Sequence, residues 1–270
     1  MPDTSDLKSS ARGVAALFAL GMIGVLALAV YSVPTLREMP ELAVLSYPTL
    51  VILAAVNSMM LLVVFVLLGT ATAPRIGLTS HVFVWASGRT SNWSEIRNSL
   101  PLAAALGAGL FVVVATLDVA FAQFTHFPTG ETPTDAEALN ELFASIPMRL
   151  FYGGITEEIL LRWGLMAPIA FAIWWGRNKV SEPTSTPSAT TMWVAIVVSA
   201  VAFGVGHLPA LAATIELTTA WIVRTVLLNA IVGIALGWLF WRRSLETAMI
   251  AHAAFHVALV AVSTVLLVVT

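Results

Sequence analysis

Long apolar segments separated by polar connections recur along the whole chain. A helix needs roughly 20 apolar residues to cross about 30 Å of hydrocarbon. Seven segments meet that length, near residues 13–33, 50–70, 102–124, 145–176, 192–213, 219–241 and 245–269. The pattern predicts an all-α, polytopic membrane bundle of about seven transmembrane helices, or eight if one segment divides.

The first apolar segment has a second interpretation. Lys8 and Arg12 precede it, and the small-residue stretch 27–29 follows its apolar centre. A charged start, an apolar run and a small-residue site are also typical of a secretory signal peptide. A first transmembrane helix is the preferred prediction because the apolar run is long for a signal.

Composition supports a membrane protein. Hydrophobic residues make up 59% of the chain and charged residues 10%, whereas soluble domains are about 45–50% apolar and about 25% charged. The net charge of −2 and the lack of a basic block give no reason to expect a nucleic-acid partner. The absence of cysteine excludes disulfides, thiolate metal sites and cysteine nucleophiles.

Lysine and arginine predict the orientation, because cytoplasmic connections carry an excess of both. With the N-terminus inside, the outer connections hold only Arg37, and Arg149, Arg162 and Arg224 lie within or beside spans. We therefore predict a multi-pass protein of the plasma or cell inner membrane with a cytoplasmic N-terminus. The inner segments hold Lys8, Arg12, Arg75, Arg89, Arg97, Arg177, Lys179, Arg242 and Arg243.

Two adjacent carboxylates, Glu157 and Glu158, lie inside the fourth apolar segment together with Arg162. Ionisable groups at membrane depth are costly and usually face a bundle interior or a wet cavity. Glu158 and Arg162 are at i,i+4 and meet on one helix face, while Glu157 points about 100° away. Glu158 is thus predicted to be neutralised and Glu157 to remain free as a general base. The alternative is a buried ionic contact with a structural role only.

Histidines occur in the two motif-bearing segments that follow. Phe203 and His207 share one helix face at i,i+4, and so do His252 and His256. Each could be a packing residue, and the second pair also has the spacing with which zinc-protease helices bind metal. The other two histidines, His81 and His126, lie in connections and are predicted to be solvated.

Small residues predict one close helix contact, and a proline predicts one bend. Gly233 and Gly237 form a small-xxx-small face that should pack on a neighbour, and Asn229 should bond another helix or else line a cavity. At 1.5 Å per residue, Glu157 would lie nearly 30 Å above Gly176, but His252 only about 12 Å above the inner end of its span. Residues 165–175, which include Pro168, are therefore predicted to bend, tilt or lie at the interface.

The three motifs, Glu157-Glu158-x-x-x-Arg162, Phe203-x-x-x-His207 and His252-x-x-x-His256, occur in the order that resembles the family of CAAX prenyl proteases and bacteriocin-processing enzymes, which are intramembrane glutamic endopeptidases. The resemblance implies hydrolysis of a peptide bond by water that Glu157 activates. It also implies that His207 positions this water, that His252 donates to the oxyanion, and that Glu158, Arg162 and Phe203 support the site.

The chain departs from the family pattern at His256, where the family usually has asparagine. A neutral histidine also donates one hydrogen bond, so a role at the oxyanion is retained. No cofactor is expected, but His207, His252 and His256 could instead bind zinc with Glu157 as base. A zinc-dependent intramembrane protease is therefore the first alternative function.

Two further alternatives are a proton-coupled carrier and a non-catalytic immunity or interaction protein. Under the leading hypothesis, residues 1–140 form three N-terminal transmembrane helices and residues 141–270 the catalytic core. The expected partners are membrane lipids and a peptide or protein substrate, such as a lipid-modified protein or a leader peptide.

Overall fold

The computed structural model describes residues 4–125 and 134–269, and 85% of it is helical, with no strand in those residues. The prediction of an all-α fold is confirmed. The helices are α1 (Thr4–Arg37), α2 (Pro40–Ala43), α3 (Tyr47–Thr72), α4 (His81–Ala86), α5 (Trp93–Phe121), α6 (Asp135–Ala144), α7 (Ala167–Val180), α8 (Ala189–Gly206), α9 (Leu208–Ala212), α10 (Thr219–Arg242) and α11 (Leu245–Val269). A 3₁₀ turn covers Ala73–Ile76, and π-helical turns cover Met148–Thr156 and Ile159–Met166.

Seven helices in the described part of the chain are long and apolar enough to span a membrane, as predicted. They are Ser9–Arg37, Tyr47–Ile76, Trp93–Phe121, Met148–Val180, Ala189–Ala212, Thr219–Arg242 and Leu245–Val269. Their outer faces expose large apolar side chains, among them Ile52, Val64, Val112, Val198 and Val265. An apolar exterior of this kind suits lipid rather than water, so the protein is an integral membrane protein.

The fourth spanning helix, Met148–Val180, is hereafter called the motif helix because it carries Glu157, Glu158 and Arg162. Its π-helical part contacts α1, α3, α8, α10 and α11. Helix α5 packs along α11, and α8 packs along α10. The motif helix is therefore at the centre of the bundle.

Close contacts hold α1 against the motif helix. A Cβ atom on Gly24 would lie 2.2 Å from Oγ1 of Thr156 and 2.3 Å from the carbonyl oxygen of Phe151. The Thr156 hydroxyl donates a hydrogen bond of 2.7 Å to the carbonyl of Gly21. The first apolar segment therefore packs as a helix of the bundle, with glycine at the point where the two backbones meet.

The predicted small-residue contact of α10 is confirmed, and its partner is α8. A Cβ atom added to Gly233 would lie 2.8 Å from Cβ of Ala200, and one added to Gly237 would lie 3.2 Å from Ile196. Any larger side chain at either position would push the two helices apart. The contact brings α8, which carries His207, beside α10.

The motif helix continues through Pro168 without interruption. The prediction took Gly176 as the inner end of this span, but the helix extends to Val180. Trp163 already packs on Phe240, with ring centroids 6.3 Å apart, close to the C-terminal end of α10. The helix therefore does not break after Gly164, while the bend, tilt or interfacial position of residues 165–175 stays a prediction. Irregular backbone occurs earlier, in the π turns that end at Met166, just before Pro168.

The prediction that His81 is solvated was wrong. His81 is buried, with Nδ1 3.1 Å from Oγ of Ser91 and Nε2 3.7 Å from Oε2 of Glu95. Because Ser91 and Glu95 are more than two helical turns away in sequence, no local pattern indicated that they contact His81. The other connection histidine, His126, lies outside the described residues.

Candidate active site

The two glutamates lie where one π-helical segment of the motif helix gives way to the next. Thr156 ends the first segment and Ile159 begins the second. Single π turns inside helices occur frequently at functional sites. Just before the glutamates, Gly153 lets α11 approach, because a Cβ atom there would lie 2.6 Å from Nε2 of His256.

Glu158 is fully buried and links three helices. Its Oε2 lies 3.1 Å from Nε of Arg162, and its Oε1 accepts a hydrogen bond of 2.8 Å from Nδ1 of His252. Nη2 of Arg162 donates to the carbonyl of Gly233 at 3.2 Å. The predicted pairing of Glu158 with Arg162 is present, and it extends to α10 and α11.

Glu157 has a different environment from its neighbour. It lines a central cavity of about 690 Å³, within the 300–1,000 Å³ typical of ligand pockets. His207, His252 and His256 line the same cavity. No residue in the described part of the chain forms a hydrogen bond or ion pair with the Glu157 carboxylate. The two adjacent carboxylates are therefore separated, one in a buried ionic network and one facing the cavity.

His207 ends α8 and is oriented by Phe203. Its Nδ1 lies 2.8 Å from the Phe203 carbonyl oxygen, and the two rings meet edge to face with centroids 4.7 Å apart. A carbonyl oxygen only accepts, so Nδ1 carries the proton. Nε2 of neutral His207 therefore keeps a lone pair for the cavity. Phe203 also lies 5.3 Å from the Arg162 guanidinium, so it connects both groups.

His252 and His256 lie one turn apart on α11. Their ring centroids are 5.0 Å apart and the planes are inclined by 21°. Nδ1 of His252 is bonded to Glu158, whereas Nδ1 of His256 is buried and has no hydrogen-bond partner among the described residues. The structure thus brings together all seven residues that the motifs predicted, but each histidine has a different neighbour.

Several polar side chains of the cavity were not assigned to the site from the sequence. Arg149, Tyr152, Arg224 and Asn229 all line it. Arg149 and Arg224 were left unassigned near span ends. For Asn229 a bond to another helix was preferred and cavity lining was the alternative; it lines the cavity, and its amide bonds the Thr225 carbonyl of its own helix at 2.8 Å. Tyr152 is five residues before Glu157, which is about 140° away on a regular α-helix. Helical periodicity therefore could not place Tyr152 in the site.

Zinc binding depends on which nitrogens remain available. His207 and His252 each bond an oxygen acceptor through Nδ1, which leaves Nε2 as the ligand atom, a common arrangement for metal-binding histidine. No group of three or more His, Cys, Asp or Glu side chains within the described ranges is arranged to hold a metal ion. The donors are thus of a suitable kind, but they do not form a ligand set in this conformation.

The fold and the site together define a class of protein: helical membrane bundles with a carboxylate and histidines around a central cavity. Residues 139–258 match the Rce1-like family, described as type II CAAX prenyl endopeptidase Rce1-like. The matched part of the chain contains all three motifs, so the match confirms the resemblance to the CAAX prenyl protease family that was found in the sequence. No curated protein and no solved structure matches the chain.

Proposed function

We propose that the protein is an intramembrane endopeptidase in which Glu157 activates a water molecule for hydrolysis of a peptide bond. One observation carries the proposal: of two adjacent carboxylates, only Glu157 lines the central cavity without a partner among the described residues. A general base must be free to take a proton and must share a space with its substrate. Glu158, which is bonded to Arg162 and His252, meets neither condition.

In the proposed reaction, Glu157 takes a proton from water while the water oxygen attacks the carbonyl carbon of the scissile bond. The carbonyl π bond opens, and its electron pair forms the oxyanion of a tetrahedral intermediate. When the intermediate collapses, the C–N bond breaks and Glu157 returns its proton to the leaving nitrogen. The products are a carboxylic acid and an amine, and Glu157 is regenerated.

The histidines take roles that follow from their hydrogen bonds. Nε2 of neutral His207 accepts a hydrogen bond from the attacking water and so positions it. Because Nδ1 of His252 donates to Glu158, its Nε2 can donate to the oxyanion only when both ring nitrogens carry a proton. His256, which can donate in its neutral form, is the second donor. One such donor is worth about 2.7–4 kcal/mol of barrier.

We place the N-terminus on the cytoplasmic side of a cell membrane, since the inner connections hold most of the lysine and arginine. The proposed substrate is a peptide or protein that reaches the cavity within the membrane. We propose hydrolysis without a metal, and zinc held by His207, His252 and His256 is the alternative. The division into residues 1–140 and a catalytic core at 141–270 remains a prediction.

The test is cleavage of a proteome-derived peptide library by purified protein, with products identified by mass spectrometry. Parent protein is compared with Glu157→Gln and with Glu182→Gln, which removes an exposed carboxylate in a connection. We expect cleavage by the parent and by Glu182→Gln and none by Glu157→Gln.

Three outcomes would contradict the proposal. Equal cleavage by Glu157→Gln would show that this carboxylate is not the base. Proton flux into liposomes that stops with Glu157→Gln, with no peptide cleaved by the parent, would favour a carrier. Absence of both activities would favour an immunity or interaction protein.

A further inference from the structure

We infer that the central cavity opens on the extracytoplasmic face of the membrane, so that its substrate is a peptide segment exposed on that side. That a substrate enters the cavity rests on the proposed function, whereas the direction in which the cavity opens is a property of the fold. A substrate confined to the cytoplasm would not reach Glu157.

Most helices line the cavity from their outer halves, whereas α11 contributes His252, Phe255 and His256 from its first half. The lining residues nearest the outer helix ends are Met148, Arg149, Ala210 and Arg224, which we assign as the mouth; they lie at the start of the motif helix, in α9 and near the start of α10. Leu28 and Val114 line it from the second halves of α1 and α5. These are the helix ends that join the connections predicted to lie outside.

The opposite end of the cavity is closed by packed side chains. The ion pair of Glu158 with Arg162 is buried. One turn further along, Trp163, Met166 and Phe240 are fully buried, and Trp163 packs against Phe83 of α4 with ring centroids 5.5 Å apart and planes inclined by 46°. This layer separates the cavity from the inner face.

A hydrogen-bonded cap reinforces the closed end. Oε1 of Glu246, at the start of α11, accepts bonds from the hydroxyl of Ser80 at 2.6 Å and from the backbone N–H of Val82 at 3.0 Å. The backbone N–H of Leu245 donates to the Thr79 carbonyl at 3.0 Å. The segment that begins α4 is thereby tied across the inner end of α11, so a peptide has no path from that side.

The distribution of positive charge gives the direction. Nine of the thirteen lysine and arginine residues lie in the segments at the closed end. The open end has Arg37 and the two arginines of the mouth, and of these Arg224 is paired with Asp118 at 2.6 Å. Since positive connections stay in the cytoplasm, the closed end faces the cytoplasm and the mouth faces outside.

Single cysteines can test this directly, because the chain has none of its own. The mouth is sampled by Ala210→Cys and, as a second position, Met148→Cys. Thr214→Cys marks the connection between α9 and α10, and Ser185→Cys marks the connection between α7 and α8; both are exposed. Intact cells are treated with a membrane-impermeant maleimide and then compared with permeabilised cells.

We expect labelling of positions 210, 148 and 214 in intact cells, and of position 185 only after permeabilisation. Labelling of 185 in intact cells, with 214 protected, would overturn the inference. So would protection of both mouth positions while 214 is labelled. None of these readouts needs catalysis. If labelling occurs as expected but peptides added outside are not cleaved, the proposed function fails and the direction of opening stands.

Discussion

The buried ion pair of the motif helix can be broken by Arg162→Met, which keeps most of the side-chain volume and removes the charge. Arg162 is 2% exposed and Glu158 is 0% exposed, so water does not screen the pair. Removing one partner of such a pair costs about 3–5 kcal/mol, because the remaining charge stays buried. We expect the free energy of unfolding to fall by about that amount.

A double variant distinguishes the energy of the ion pair from the energy of the packing around it. In Glu158→Gln/Arg162→Met no uncompensated charge remains, and the amide oxygen can still accept the bond from His252. The double variant should therefore lose less stability than the sum of the single losses, with a coupling energy of about 0.5–3 kcal/mol. Arg177→Met, at an exposed position of α7, is the matched control and should change stability by no more than about 0.5 kcal/mol.

The assay is reversible unfolding in mixed micelles of detergent and sodium dodecyl sulfate, followed by circular dichroism. The reasoning is refuted if Arg162→Met unfolds within about 1 kcal/mol of the parent, which is far less than the cost of a buried unpaired charge. Strict additivity of the two single substitutions would refute it as well, since a direct pair must couple.

Three further predictions concern packing, the oxyanion and metal. Gly107→Ala should destabilise the bundle by about 1–3 kcal/mol, because its Cβ atom would lie 2.1 Å from the Ala251 carbonyl oxygen. The control Gly109→Ala, with open space around it, should not destabilise the bundle. Equal unfolding curves for the two variants would disprove the contact. His256→Asn should keep activity within about threefold, because an amide also donates, whereas His256→Leu should lose about 10²–10³-fold in kcat; equal rates for both would exclude a donor role. After chelation, metal analysis should find no bound metal and the enzyme should remain active. Activity that is lost on chelation and returns only with zinc would favour the zinc-dependent protease.

Much of the fold was predictable because membrane spans can be recognised in a sequence by their length and hydrophobicity. The seven spans, the i,i+4 pairing of Glu158 with Arg162 and the packing face at Gly233 all follow from local sequence. Each depends on residues within one or two turns of a helix, where 3.6-residue geometry applies directly. Such features need no knowledge of how the helices pack.

Tertiary features were less accessible. The bond between His252 and Glu158 joins residues 94 positions apart, and no local pattern indicates it. The end of the fourth span was placed at Gly176, but the helix continues to Val180, and Trp163 is already at the level of Phe240. The burial of His81 depends on the way α4 folds back across the bundle.

The measurement that tests the central claim most directly is the rate of peptide hydrolysis by Glu157→Gln, made beside its free energy of unfolding. Glu157 forms no hydrogen bond or ion pair among the described residues, so the nearly isosteric substitution should destabilise the protein by no more than about 1 kcal/mol. Loss of a general base should lower the rate by about 10²–10⁴-fold. A stable Glu157→Gln protein that cleaves at the parent rate would contradict the claim that Glu157 activates water.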